Sequence, residues 1–183
     1  MKKLLSLLLA AILSLCALLP AAAEEAPITR APMAFTTFQA LYNDLFTTAY
    51  PGSTISWITR EISGTEAWGA LMNDTLPMAM ALLQDGNISQ IVLSYDGPMD
   101  EQTVTVFIVQ CVLVGGSLLT GDGMPAEMAI DQATNTLAEN LGLALQGGSN
   151  EFSVWGVNAL FSSTTEDGTN YEFLLVLTFN AGE

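Results

Sequence analysis

The reading of Val104–Leu119, V-T-V-F-I-V-Q-C-V-L-V-G-G-S-L-L, decides the fold. The stretch carries no charge, so whatever it forms has to be covered by the rest of the chain. Two foldings compete for it. Seven of its sixteen residues are Val, Ile or Thr, and β-branched side chains favour strands. Sixteen residues is long for a strand, however, since strands rarely exceed about ten. The flanks also favour a helix: Asp100 suits the N-cap, Glu101 puts negative charge in the first turn, and Met99 can staple onto Val104. The stretch is therefore read as a buried helix from Glu101 to Val114. Gly115-Gly116 should weaken or end it, with Ser117 to Leu119 as a looser tail. A helix that is apolar on all sides is a core helix or a membrane span. A span needs about 20 apolar residues. This run is shorter and is interrupted by Gln110 and two glycines, which favours the core.

Working outward towards the start of the chain, Lys2-Lys3, the apolar run Leu4 to Leu19 and Ala21-Ala22-Ala23 form a signal-peptide pattern over residues 1–23. Export, to a secreted or extracytoplasmic location, is the expectation. A lipid anchor on Cys16 is disfavoured, because Leu15 is bulky where lipoprotein signals want a small residue. Residues 24–33 read as a disordered lead-in and 34–183 as a single domain. Both lysines leave with the signal, so Arg30 and Arg60 face 19 acidic residues. Such a chain is repelled by nucleic acid and by anionic membranes, and stable membrane insertion after cleavage is not expected. Only Cys111 survives cleavage, so no intramolecular disulfide is expected. Its place inside the apolar run reads as packing rather than reactivity.

Elements on either side of the central stretch follow from periodicity. Phe38, Leu41, Tyr42, Leu45 and Ala49 recur at helical spacing over Thr37 to Thr48, with Thr36 and Gln39 as a capping box. Strands are expected at Thr54–Ile62, Glu66–Met72, Leu76–Gln84 and Ile88–Tyr95, the last pair joined by an Asp85-Gly86-Asn87 turn. Within the third, Leu76, Met78, Met80 and Leu82 should share one face and Pro77, Ala79 and Ala81 the other. A helix begins near Pro125, its buried face formed by Ile130, Ala133, Leu137, Leu141 and Ala144. A terminal hairpin, Glu151–Ser162 and Asn170–Asn180, closes the chain. Tyr171, Phe173, Leu175, Leu177 and Phe179 alternate strictly; Leu174 and Val176 make the second face apolar too and put this strand inside the sheet. The order implies an α+β fold: an antiparallel sheet of about five to six strands with three helices, mainly packed on one face.

Several chemistries are excluded by residue type. No histidine is present, which removes Ser-His-Asp and Cys-His catalysis and His-ligated metals. Without lysine after residue 23 there is no Schiff base, and no glycine-rich phosphate loop opens a helix. Carboxylates remain. Glu127, Asp131 and Glu139, with Asn135 between them, form an acidic stripe at four-residue spacing, a candidate interaction surface or simply a solvated helix face. Asp96, Asp100 and Glu101 make a second cluster. Hard oxygen ligands suit calcium, but no calcium-loop pattern is present, and no cofactor is expected. The leading functional expectation is an exported acidic non-catalytic module that binds another macromolecule, such as a basic protein or peptide. One alternative is a carrier of a small apolar ligand, suggested by Met72, Met78, Met80, Met124 and Met128. The other is a carboxylate-dependent hydrolase using Glu127 and Asp131.

Overall fold

The computed structural model describes residues 30–74, 76–98, 101–147, 149–165 and 170–179. Its elements run α1 (Phe35–Ala49), β1 (Ile55–Ile62), β2 (Thr65–Met72), β3 (Leu76–Gln84), β4 (Asn87–Pro98), α2 (Glu101–Gly121), α3 (Ala126–Gly147), β5 (Ser149–Val154), β6 (Val157–Thr165) and β7 (Asn170–Thr178). The fold is α+β. The strands form one antiparallel sheet in the order β1-β2-β3-β4-β7-β6-β5, so β7 is inside it, apolar at every position from Phe173 to Leu177. Residues 1–23, where a signal peptide is expected, and the expected N-cap Asp100 and staple Met99 lie outside the described residues.

The sheet has seven strands rather than five or six, because the arm expected at Glu151–Ser162 reverses at Trp155-Gly156. Both residues have positive φ, 51° and 77°, between paired Val154 and Val157. That is the backbone of a two-residue hairpin loop whose twist matches its strands. Ser63-Gly64 and Asp85-Gly86 turn in the same way. A tryptophan at positive φ is unusual, so the sequence offers no ordinary turn signal there.

That same tryptophan explains why α2 does not stop at Val114. The helix runs on through Gly115 and Gly116 to Gly121. A Cβ on Gly115 would lie 2.5 Å from Trp155 Cε2 and Cζ2; one on Gly116 would lie 2.8 Å from Ile130 Cδ1 and 3.1 Å from Leu45 Cδ1. The glycines are points of close approach, where the β5–β6 turn, α3 and α1 press onto one helix. Each costs the helix about 1 kcal/mol relative to alanine, offset by the contacts it admits. Buried Ser117 returns its hydroxyl to the Leu113 carbonyl, 2.6 Å away, and so adds no unmet polar group.

The first helix starts two residues before the expected Thr37, and the Thr36–Gln39 capping box does not form. Neighbouring backbone serves instead: the Phe35 N–H donates to the Gly86 carbonyl at 3.1 Å, and Ala34 accepts from Thr37 and Phe38. Of the face expected to be buried, Phe38, Tyr42 and Leu45 are covered, Leu41 is half-buried and Ala49 is exposed, while Phe35 and Phe46 join the core. Residues 30–33 of the expected lead-in are tied down. Arg30 donates from Nε to the Trp155 carbonyl at 3.0 Å and from its two Nη atoms to the Leu118 carbonyl and Asp122. Burial works against its charge, and the facing carboxylate works in favour of it.

All three helices pack on one face of the sheet. Ala79, Ala81, Leu83, Ile88, Ile91, Leu93, Phe173, Leu175 and Leu177 point into them and are at most 7% exposed. Trp57 packs against Phe35, Phe38 and Tyr42 at one end, and Phe107, Phe161 and Phe173 cluster at the other. Two bulges set which residues face the helices. Ala70 pairs with Ala79 but Leu71 with Pro77, so Met78 is the extra residue. Met78 and Ala79 therefore both turn inward, and Met80 and Leu82 turn outward, which breaks the expected Leu76–Met78–Met80–Leu82 face. At this bulge the buried Gln110 of α2 donates from Nε2 to the Pro77 carbonyl at 3.3 Å. Ser89 is the extra residue of β4. Among the described residues, no helix is long and apolar enough to cross a membrane.

Candidate functional site

The acidic stripe exists as a surface. Glu127, Asp131, Asn135 and Glu139 are all exposed on α3, while Ala129, Ala133 and Leu137 face inward, Ile130 is half-buried, and the side chains of Leu141 and Ala144 lie outside the described residues. The stripe lies on the exposed side of one helix. Asp96 is exposed on β4; Asp100 and the Glu101 side chain lie outside the described residues. Among the described residues, no three acidic or cysteine side chains converge as metal ligands would.

The five methionines do not share one lining. Met78 is in the core, Met72 and Met124 pack at its margin, Met80 is on the opposite sheet face, and Met128 is 59% exposed on α3. One described depression, about 210 Å³, lies between Pro32, Gln84, Asn87 and Phe179. It is smaller than the pockets of about 300 Å³ and more that enclose small-molecule ligands. Cys111 is fully buried, and burial pushes its thiol well above the usual range, which disfavours the thiolate.

The surface that calls for an explanation is the other face of the sheet, over which the described residues place no helix. Ile58, Gly69, Met80, Val92, Val176 and Leu160 are successive cross-strand partners on β1, β2, β3, β4, β7 and β6. All six are half-buried, and they form one apolar row across the sheet. Leu82 and Leu71 widen it on one half, and Leu174 on the other. One adjacent row is mixed, running Arg60, Ala67, Leu82, Gln90, Thr178 and Asn158. On the other side, beyond Ser94 and Leu174, exposed Asp96 stands directly opposite exposed Glu172. Like charges in that position repel. Arg60 stands on edge strand β1, three strands from β4. The apolar row itself ends on β5 at exposed Glu151, the partner of Leu160.

Sequence reasoning found the apolar second face of β7 but not this row, because the row depends on six registers and on the bulges at Met78 and Ser89. No protein-family model, no curated protein and no solved structure matches the chain.

Proposed function

We propose that the chain is an exported, non-catalytic module that binds another macromolecule on the open face of its sheet. The observation that carries this reading is the row Ile58–Gly69–Met80–Val92–Val176–Leu160, an apolar band six strands wide with polar residues and carboxylates along its margins. Contiguous apolar patches with polar rims mark interaction surfaces more often than scattered exposed side chains do. The signal pattern of residues 1–23 supports export, and the absence of histidine supports binding over catalysis. Nineteen acids against Arg30 and Arg60 favour a basic protein or peptide as the partner. The α3 stripe is the weaker candidate: it is polar throughout, and charge without an apolar centre seldom supplies affinity.

The test is photocrosslinking in the exporting cell, with benzoylphenylalanine placed at Val176 on the open face or at Asn135 in the acidic stripe. Adducts with one defined partner from position 176 and none from position 135 support the reading. The reverse pattern moves the site to α3, and an absence of adducts from position 176 removes the open face as a binding surface.

A further inference from the structure

Resting on that reading, we infer that the segment seated on the open face is a cationic amphipathic helix of another protein, its apolar stripe along the row and its basic flank over Asp96 and Glu172. The dimensions agree. Five steps between six strands span roughly 24 Å at about 4.8 Å each, the length of a helix of about 16 residues. Asp96 lies four positions along β4 from Val92, about 13 Å at strand rise. A helix about 10–12 Å across, lying on the row, covers Leu174 with its side and brings a lysine or arginine from its flank to the carboxylates.

Charge selects this occupant over a second copy. Asp96 and Glu172 are a cross-strand pair of like sign on an otherwise uncharged stretch of sheet, and Glu151 adds a third carboxylate at the end of the row. Such a pair raises the energy of the free sheet, and a cation placed between the two relieves it. A second copy of this chain, with acids far outnumbering its two arginines, would bring chiefly more negative charge.

The test uses two 16-residue peptides with the same leucine face, one flanked by lysines and one by glutamates. Binding to the processed chain is followed by fluorescence anisotropy at low and raised salt. The lysine peptide should bind and gain helical circular dichroism; the glutamate peptide should not bind. Asp96→Asn with Glu172→Gln should weaken the lysine peptide about tenfold and flatten its salt dependence, as expected when charged partners are removed from a contact rim. Val176→Thr, close in shape and polar, should weaken it with the fold intact by near-ultraviolet dichroism. Equal affinity of the lysine peptide for wild type and the Asp96/Glu172 double variant overturns the inference, as does failure of that peptide to bind. If Val176→Thr still weakens binding in the first case, or position 176 still crosslinks in the second, the open-face reading survives and only the basic helix is lost. Binding indifferent to Val176 removes both.

Discussion

The two faces of the sheet are built from the same strands by the same alternation, yet they are made of different side chains. Towards the helices stand Phe173, Leu175 and Leu177 on β7 with Ile91 and Leu93 on β4, all nearly inaccessible. One residue along, towards solvent, stand Leu174, Val176, Val92 and Ser94, of which Leu174, Val176 and Val92 are half-buried and Ser94 exposed. The covered face carries large aliphatics and the aromatic cluster Phe161–Phe173, which packs on Phe107 of α2. The open face uses medium aliphatics and one glycine in a single row, with Asp96 and Glu172 beyond one side of it. A protein needing only solubility would place polar residues there, as one-sided antiparallel sheets generally do. The departure from that pattern is the observation on which the proposed binding face rests.

The contrast can be broken by substitution. Leu177→Ala removes buried methyls beneath the helices and should cost about 2–5 kcal/mol, whereas Val176→Thr, its neighbour on the other face, should cost under about 1 kcal/mol. Urea unfolding of the two variants measures the difference. Equal losses would mean that the outer face is covered as well.

The next effect sharpens the account of the covered side. Gly115→Ala should destabilise by about 1–3 kcal/mol, as overpacking does, because its methyl meets the Trp155 ring. Gly121→Ala meets the flexible end of Met33, with Leu41 Cδ1 at an ordinary contact distance of 3.5 Å, and should gain up to about 1 kcal/mol of helix propensity. Thermal denaturation would show a rise in Tm for one and a fall for the other.

Alkaline pH probes the same interior. Burial raises the folded-state titration of Tyr42, Tyr50 and Cys111. A raised folded value means stability that is complete below the unfolded value and lost as pH climbs through the folded one. Unfolded thiol and phenol titrate near about 8.5 and 10. Stability should therefore be unaffected by these groups below about pH 8 and fall progressively above it. The Tyr42 hydroxyl is buried with no hydrogen-bond partner among the described residues. Tyr42→Phe should thus be neutral or gain up to about 1 kcal/mol, with a shallower alkaline decline in urea titrations at pH 7 and pH 10.

The smallest effect belongs to the acidic stripe. Glu127→Gln, Asp131→Asn and Glu139→Gln together should shift stability by only a few tenths of a kcal/mol per relieved contact, in the stabilising direction, and leave adducts from position 176 unchanged. Loss of those adducts would make the stripe part of the interface.

Much of this architecture was legible in the residues. The four strands from Ile55 to Tyr95, the three helices and the interior place of β7 follow from period and turn chemistry. What was hidden has physical reasons. Gly115-Gly116 resembles a helix end, and only the distant Trp155 ring on Gly115, with Ile130 and Leu45 on Gly116, shows that it is a seat. Trp155-Gly156 turns through a residue that seldom adopts positive φ, so one expected arm became two strands. The bulge at Met78 reverses which side chains of β3 face the helices, which alternation counted straight through cannot reveal. The acidic stripe was visible because it is local to one helix. The apolar row was not, because each of its members comes from a different strand.

The most direct test of the proposed binding face is methyl NMR of the Ile, Leu, Val and Met groups during titration with the lysine-flanked peptide. Perturbations should concentrate on Ile58, Met80, Val92, Leu160, Leu174 and Val176, and leave Leu175, Leu177 and Leu113 still. Shifts centred instead on Met128 and α3, or spread evenly through the buried methyls, would contradict the account.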